Sequence, residues 1–118
     1  DLIIKHKKSN CLLTIVVAPI QNPFGLVSWN ARNKVTTFKE KPILNHYIGY
    51  AVFSPKLFGK ISNKIANLKD GRGIIECIKY LIQKKQVNSY ELKNLQITIN
   101  SPEELKYARL NYKKYFTF

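Results

Sequence analysis

The residue types best suited to chemistry flank a short predicted hairpin. Gly25 precedes one β-prone run, residues 26–29, while Glu40 and Lys41 follow a second run, residues 35–38. A glycine lets the backbone approach a ligand closely, a carboxylate accepts hydrogen bonds from hydroxyl groups, and an ammonium group attracts an anion. Together these residues could serve a ligand that carries both hydroxyl groups and negative charge.

The same residues also have a purely structural interpretation. The polar residues 30–34 have the length and asparagine content of a hairpin loop, and Pro42 ends the strand pairing. Gly25 could serve only a turn, and Glu40 and Lys41 could form an exposed ion pair that adds little stability. Spacing alone leaves both interpretations open.

The elements around the hairpin alternate between helix and strand. Residues 2–9 have helical composition, and residues 12–20 are a continuous apolar run, typical of a strand covered on both faces. Residues 43–46 are predicted as a connection and residues 47–53 as a further strand.

Two helices are predicted next. Ser54 as a cap and Pro55 in the first turn begin a helix that runs to about Lys69. Residues 70–73 form a turn, and the second helix covers residues 73–85. The first helix has an apolar face formed by Leu57, Phe58, Ile61, Ile65 and Leu68.

Residues 87–92 and 95–99 are predicted strands. Ser101 and Glu104 then have the positions of an N-cap and a capping-box glutamate, so a helix is expected from there to Tyr115. Its aromatic residues are interpreted as packing residues: Tyr107, Tyr112, Tyr115, Phe116 and Phe118. This order of elements predicts an α/β fold of three layers, with a mixed, mainly parallel sheet and a β-hairpin.

Composition describes the class of partner. The 118 residues are 45% hydrophobic, as in an ordinary globular chain, and carry a formal net charge of +13. That imbalance favours anionic partners such as nucleotides, sugar phosphates, nucleic acid or an acidic surface, although the lysines could simply cover a solvated face. Lysine pairs occur in three separate segments and form no concentrated basic arm, so a nucleic-acid-binding domain is a hypothesis from charge alone.

The cysteines and histidines suggest no metal site. Cys11 and Cys77 lie among aliphatic residues, as expected of buried thiols, which favours an intracellular, cytoplasmic location. His6 and His46 are predicted to be surface or helix-end residues. The apolar run at residues 11–18 is too short to span a membrane and is interpreted as a core strand.

Taken in order, the motifs resemble a known family. Pro23-Phe24-Gly25, a hairpin, Phe38-Lys39-Glu40-Lys41-Pro42 and the strand from Gly49 to Pro55 resemble the sugar-1-phosphate nucleotidyltransferases, or nucleotide-sugar pyrophosphorylases. Glucose-1-phosphate thymidylyltransferases and mannose-1-phosphate guanylyltransferases are similar examples. The resemblance implies a Rossmann-like nucleotidyltransferase domain that makes a nucleotide sugar and pyrophosphate from a nucleoside triphosphate and a sugar-1-phosphate.

The resemblance also implies which residues bind substrate. Gly25, Glu40 and Lys41 would line the sugar-phosphate pocket, with Asn45 and Gly49 as further candidates. It spans residues 1–118 but only the second half of the family's catalytic domain. We therefore expect this chain to be the C-terminal, sugar-phosphate-binding portion, to lack the nucleotide-binding portion with its Gly-rich loop and Asp-x-Asp motif, and to be inactive alone.

One departure from the family concerns the metal. Residues 95–105 resemble a family segment in which an aspartate helps to hold magnesium, but Thr98 stands at that position. A neutral hydroxyl cannot replace the charge of a carboxylate at a hard cation. Mg²⁺ is therefore implied for the complete enzyme and no metal for this segment alone.

Two functions stay open at this stage, because Thr98 and Tyr47 both depart from the family pattern. Another acid could supply the metal, or the protein could be a non-catalytic binding or regulatory relative. The expected partners are a nucleoside triphosphate and a sugar-1-phosphate. The chain could also form a homo-oligomer. Neither a membrane nor nucleic acid is expected as a partner.

Overall fold

The computed structural model describes residues 1–97 and 99–115, which form two compact units. Residues 1–17 and 47–91 make up the first, here called the core unit. Residues 18–46 belong with those from 92 onward to the second, here called the hairpin unit. The helices and strands are α1 (Leu2–Ser9), β1 (Leu13–Gln21), β2 (Leu26–Trp29), β3 (Val35–Lys39), β4 (Ile43–Phe53), α2 (Asn63–Ala66), α3 (Arg72–Gln83), β5 (Val87–Glu91) and α4 (Pro102–Tyr115).

Strands β4, β1 and β5 form a mixed sheet in that order. β1 and β5 are parallel, in a register that begins with Leu13 opposite Val87. The end of β4 lies beside the start of β1, because the Ser54 amide donates to the Leu12 carbonyl at 2.9 Å. β4 is therefore antiparallel to β1, and the predictions of a mixed sheet and an α/β chain are confirmed.

The core forms around β1, which is covered on both faces as predicted. Leu13 and Thr14, which point to opposite faces, are both fully buried. The apolar cluster around this strand consists of Leu12, Leu13, Leu57, Cys77 and Leu81. Burial raises the pKa of the Cys77 thiol, so this cysteine is a neutral core residue, as predicted.

The helix predicted from Ser54 to Lys69 is wrong. The chain instead makes a 3-10 turn over Pro55–Leu57 and the short helix α2. The second piece has its own cap, because Ser62 accepts a hydrogen bond from the Ile65 amide. The residues predicted to share an apolar face are divided, because Leu57 is buried and Ile61 and Ile65 pack against the core, whereas Phe58 is 72% exposed.

His6 lies at the end of a helix, one of its two predicted positions, but it is buried and not on the surface. It lies in the last turn of α1, yet only 6% of it is exposed. Its Nδ1 forms a hydrogen bond of 2.8 Å with the Thr14 hydroxyl, and its Nε2 one of 3.1 Å with the Ser54 hydroxyl. The Ser54 side chain is thus bonded to His6 and does not cap a helix. His46 is exposed, as predicted.

We expect His6→Ala to lower the free energy of unfolding by about 2–3 kcal/mol, because two hydrogen bonds are lost and the buried Thr14 hydroxyl loses its partner. Urea denaturation would measure the change. His46→Ala is the matched control, and its effect should stay within about 0.5 kcal/mol because that residue is exposed. Equal effects for the two variants would show that the buried network contributes no stability.

In the hairpin unit, β2 and β3 form the predicted antiparallel hairpin. The loop is held by Asn30, whose side-chain oxygen accepts from the amides of Arg32 and Lys34. Asn33 adopts a left-handed conformation with φ 58°, which asparagine tolerates better than most residues. The asparagine content that predicted the loop is therefore what closes it.

Two boundaries in the hairpin unit differ from prediction. Residues 43–46, predicted as a connection, belong to β4. Residues 95–97 make only an isolated parallel bridge, in which Gln96 pairs with Ile20 and donates its amide to the Pro19 carbonyl at 2.9 Å. The alternation of apolar residues predicted a strand over residues 95–99. Among the described residues of this segment, only the single bridge at Gln96 forms. Thr98 lies outside the described residues.

Helix α4 begins where the capping pattern predicts. The Glu104 amide donates to the Ser101 hydroxyl at 3.2 Å, and the Glu104 carboxylate accepts from the Asn100 amide. The return bond of a standard capping box would come from the amide of Ser101. Here it comes from one residue earlier, so the box encloses the preceding residue as well.

Removal of this cap should destabilise the fold. We expect Ser101→Ala to lower the free energy of unfolding by about 1 kcal/mol, because the Glu104 amide loses its acceptor. Ser89→Ala, at an exposed position of β5, provides a control that should change it by less than about 0.5 kcal/mol. An unchanged denaturation midpoint for Ser101→Ala would mean that the cap does not contribute to stability.

Across the described residues, the structure contains no helix with the length and apolar character needed to cross a membrane.

Candidate functional site

A cavity of about 550 Å³ lies within the hairpin unit. Its lining begins with Ile20 and Gln21 at the end of β1 and continues through Leu95, Gln96 and Ile97. The parallel bridge between Ile20 and Gln96 holds these two segments side by side. The cavity therefore lies at the carboxyl end of strand-like segments, where open α/β sheets commonly bind ligands.

Two hydrogen bonds bring Lys41 to this cavity. The Asn22 amide donates to the Pro42 carbonyl at 2.9 Å, which joins the segment before the hairpin to the segment after it. The Asn22 side chain accepts from the Phe24 amide and so turns the chain into β2. Asn22, Pro23 and Lys41 consequently line one wall.

The opposite lining comes from α4. Glu103 and Glu104 in its first turn contribute carboxylates, and Tyr107 and Tyr115 contribute phenol groups. The Glu104 carboxylate already accepts from the Asn100 amide, so Glu103 has more freedom to meet a ligand. Partial burial, with a further contribution from Tyr107, raises the pKa of Tyr115 and keeps its hydroxyl neutral.

This lining can bind a polar, partly anionic ligand. Lys41 offers one cation, Glu103 offers hydrogen-bond acceptors, and the tyrosines offer both hydroxyl groups and flat apolar rings. A sugar presents hydroxyl groups around an apolar ring face, which matches such a mixed wall. The described groups are suited to holding a ligand and its charge.

The predicted site residues fall in different places. Lys41 lines the cavity, whereas Gly25 and Glu40 lie outside its described lining. A Cβ atom on Gly25 would come within 2.9 Å of two ring atoms of Phe38, so a larger residue here would require that ring to shift. Glu40 is exposed in the bend next to Lys41.

Asn45 and Gly49 both belong to β4. Asn45 is exposed in the hairpin unit, while Gly49 is exposed in the core unit. Gly49 has φ 85°, a conformation that glycine adopts readily even within a strand. Its conformational role therefore accounts for the glycine.

Sequence reasoning missed several lining residues. From the sequence, Glu104 is interpreted as a helix-capping group and Tyr107 and Tyr115 as packing groups, and Glu103 is assigned no ligand contact. One signal in the sequence could have indicated these residues. Only a few residues separate the alternating segment 95–97 from the cap at Ser101, so the start of α4 has to lie close to the segment that pairs with the end of β1. The aromatic residues Phe116 and Phe118 lie outside the described residues.

The magnesium implied by the resemblance does not fit the described residues. Within residues 1–97 and 99–115 there is no group of three or more histidine, cysteine, aspartate or glutamate side chains that could hold a metal ion. Of the two carboxylates in the cavity, Glu104 is already hydrogen-bonded to Asn100. We therefore derive no chemical step from a metal at this site.

Comparison with known proteins gives a structural match. No family model and no curated protein match this sequence. A crystal structure of a protein from Bacillus anthracis, provisionally assigned as a glucose-1-phosphate thymidylyltransferase and bound to sucrose, matches with a TM-score of 0.56 at 17% identity. The match covers 98% of this chain and 49% of the other, so this chain spans about half the length of that protein and is similar to it in fold.

Lys41 has an unusual backbone conformation that can be tested. Its φ of 41° is left-handed, a region that costs an ordinary residue about 1–2 kcal/mol. We expect Lys41→Gly to raise the free energy of unfolding by about 1 kcal/mol, as measured by urea denaturation. Lys39→Gly is the control and should lower it by about 0.5–1 kcal/mol, because Lys39 lies in a strand. A loss of stability in both variants would exclude strain at Lys41.

Proposed function

We propose that this chain forms the sugar-phosphate-binding part of a sugar-1-phosphate nucleotidyltransferase domain. In the complete domain, of three layers around a mainly parallel sheet, an oxygen of the sugar-1-phosphate attacks the α-phosphate of a nucleoside triphosphate. The products are a nucleotide sugar and pyrophosphate. The fold shared with a thymidylyltransferase supports the class of domain, and the cavity supports the assignment of the sugar phosphate to this chain.

The observation that carries this proposal is that Lys41 and the first turn of α4 line one cavity. In our proposal the Lys41 ammonium group holds the phosphate. Glu103 and the tyrosine hydroxyls bind sugar hydroxyls, and the exposed Glu40 beside Lys41 contributes a further acceptor. Of the other predicted residues, Gly25 and Asn45 belong to the same unit as this cavity. Catalysis of this kind depends mainly on positioning and charge neutralisation.

A second function is suggested by the positions at which this sequence departs from the family pattern. Phosphoryl-group transfer commonly relies on a divalent cation, and the described residues supply no set of ligands for one. The sequence has Thr98 and Tyr47 where the family pattern has other residues. Our alternative proposal is a non-catalytic relative that binds a sugar phosphate.

Calorimetry with glucose-1-phosphate and mannose-1-phosphate tests the shared part of both proposals. Lys41→Ala and Glu40→Gln should each weaken binding by about ten- to a hundredfold, since a charge-assisted hydrogen bond is worth roughly 1.5–3 kcal/mol. Lys39→Ala, a neighbouring lysine on β3, is the matched control and should leave affinity unchanged within about twofold. Equal affinity of all variants for the sugar phosphate would remove the assignment of this cavity.

An activity assay tests whether this chain can catalyse the reaction by itself. We expect the 118-residue chain, given magnesium, nucleoside triphosphates and sugar-1-phosphates, to release no pyrophosphate. Turnover by the pure chain would contradict the assignment of triphosphate-binding groups to another part of the domain.

A further inference from the structure

One face of the hairpin carries apolar side chains that are exposed. Val27 shares its side of β2 with Trp29, two residues further on, and lies opposite Phe38, so these three side chains project from the same side. We call this set the aromatic face. Val35 lies opposite Trp29, beyond an irregularity in the strand register. The exposed fractions of these residues are 42% for Val27, 67% for Phe38 and 66% for both Trp29 and Val35.

An uncovered two-stranded sheet needs an explanation. Every residue of β2 and β3 is exposed, and an isolated hairpin is at best marginally stable. Apolar patches on a surface commonly mark a place where another molecule binds. The aromatic face is therefore a docking surface whose occupant has to be identified from its chemistry.

Charge indicates an anionic occupant. Between residues 24 and 41 the chain has four basic residues, Arg32, Lys34, Lys39 and Lys41, and one acid, Glu40. All five are exposed. Because the whole chain has a net charge of +13, a second copy would be repelled, whereas a polyanion would be attracted.

Ring geometry favours nucleic acid bases over an acidic protein segment. Trp29 is two positions beyond Val27 on β2 and Phe38 lies opposite Val27, so Trp29 and Phe38 are diagonal cross-strand neighbours roughly 7–8 Å apart. That is about twice the 3.4 Å rise of a stacked strand, so each ring can accept one base of an unstacked strand. The close approach of Phe38 to Gly25 supports its ring while leaving 67% of the residue exposed.

From these observations we infer that the aromatic face binds single-stranded nucleic acid. Bases stack on Trp29 and Phe38, and the phosphates lie near Arg32 and Lys34 of the hairpin loop. This mode combines aromatic platforms with a basic surface and tolerates many sequences, because every base has a flat face. The aromatic residues of α4 differ from these two, since Tyr107 and Tyr115 line the cavity beside two glutamates.

The probes are fluorescein-labelled oligo(dT) and oligo(rU) of twelve nucleotides, titrated with the 118-residue chain while anisotropy is measured. We expect binding to both at about 50 mM salt, and weaker binding as salt rises. Trp29 is the only tryptophan, so its fluorescence should be quenched on binding an unlabelled oligonucleotide.

Matched variants test each contribution. Trp29→Ala should weaken binding by roughly 5- to 150-fold, which is the loss of about 1–3 kcal/mol of stacking, and Trp29→Phe should restore most of it. Phe58→Ala removes an aromatic residue of similar exposure in the core unit and should change affinity by less than twofold. Thermal melting of each variant shows that the fold is retained.

The charges are tested through the dependence of binding on salt. Replacement of Arg32 and Lys34 by alanine should reduce the slope of log affinity against log salt by about 1.4, because each phosphate contact contributes about 0.7. Replacement of Lys113 and Lys114, in the last turn of α4, should leave the slope unchanged.

Three results would overturn the inference. One is a loss of affinity in Trp29→Ala no larger than that in Phe58→Ala. Another is binding to a twelve-base-pair duplex that is as tight as binding to the single strand, because duplex bases cannot stack on the rings. The third is equal competition by a polyglutamate peptide of the same charge, which would show attraction by charge alone and favour an acidic protein as the partner.

Discussion

Strand β1 has to be covered on both faces, and much of the chain is arranged to satisfy that requirement. Leu13, Thr14 and Ala18 are fully buried along it. Thr14 is polar, so its burial is tolerable only because the His6 ring supplies a hydrogen bond. The same ring reaches Ser54 at the end of β4. His6 thus connects helix α1, strand β1 and the turn that follows β4.

The candidate site depends on where β1 ends. The strand leads into Asn22, whose amide bonds the Pro42 carbonyl and so fixes both sides of the hairpin base. Lys41 lies next to that bond in a left-handed conformation, with its side chain at the cavity. The backbone hydrogen bond between Asn22 and Pro42 therefore determines where Lys41, the basic residue of the cavity lining, lies. The strands of the hairpin, β2 and β3, lie beyond this contact, and their exposed residues are not among those that line the cavity.

Local signals predicted the elements that are defined by local chemistry. The asparagine-rich loop, the Ser101 cap and the continuous apolar run of β1 each specify their own structure through neighbouring residues. The helix expected after Ser54 failed because its cap was used elsewhere, by a histidine far away in sequence. Of the residues that line the cavity, only Lys41 was predicted from the sequence as a site residue, since the tyrosines and Glu103 reach the cavity through the placement of α4. Long-range pairing of this kind leaves little trace in a single sequence.

The pairing of β1 with β5 has a consequence for how the protein is made. Val87, the partner of Leu13, comes 74 residues later in the sequence, so β1 is synthesised well before β5. The apolar strand β1 is therefore synthesised before β5 is available to pair with it. Contacts so distant in sequence also slow folding, because a long loop has to close before they form. During this interval β1 is the segment most exposed to aggregation, and a chaperone that binds extended apolar chains would find its target there.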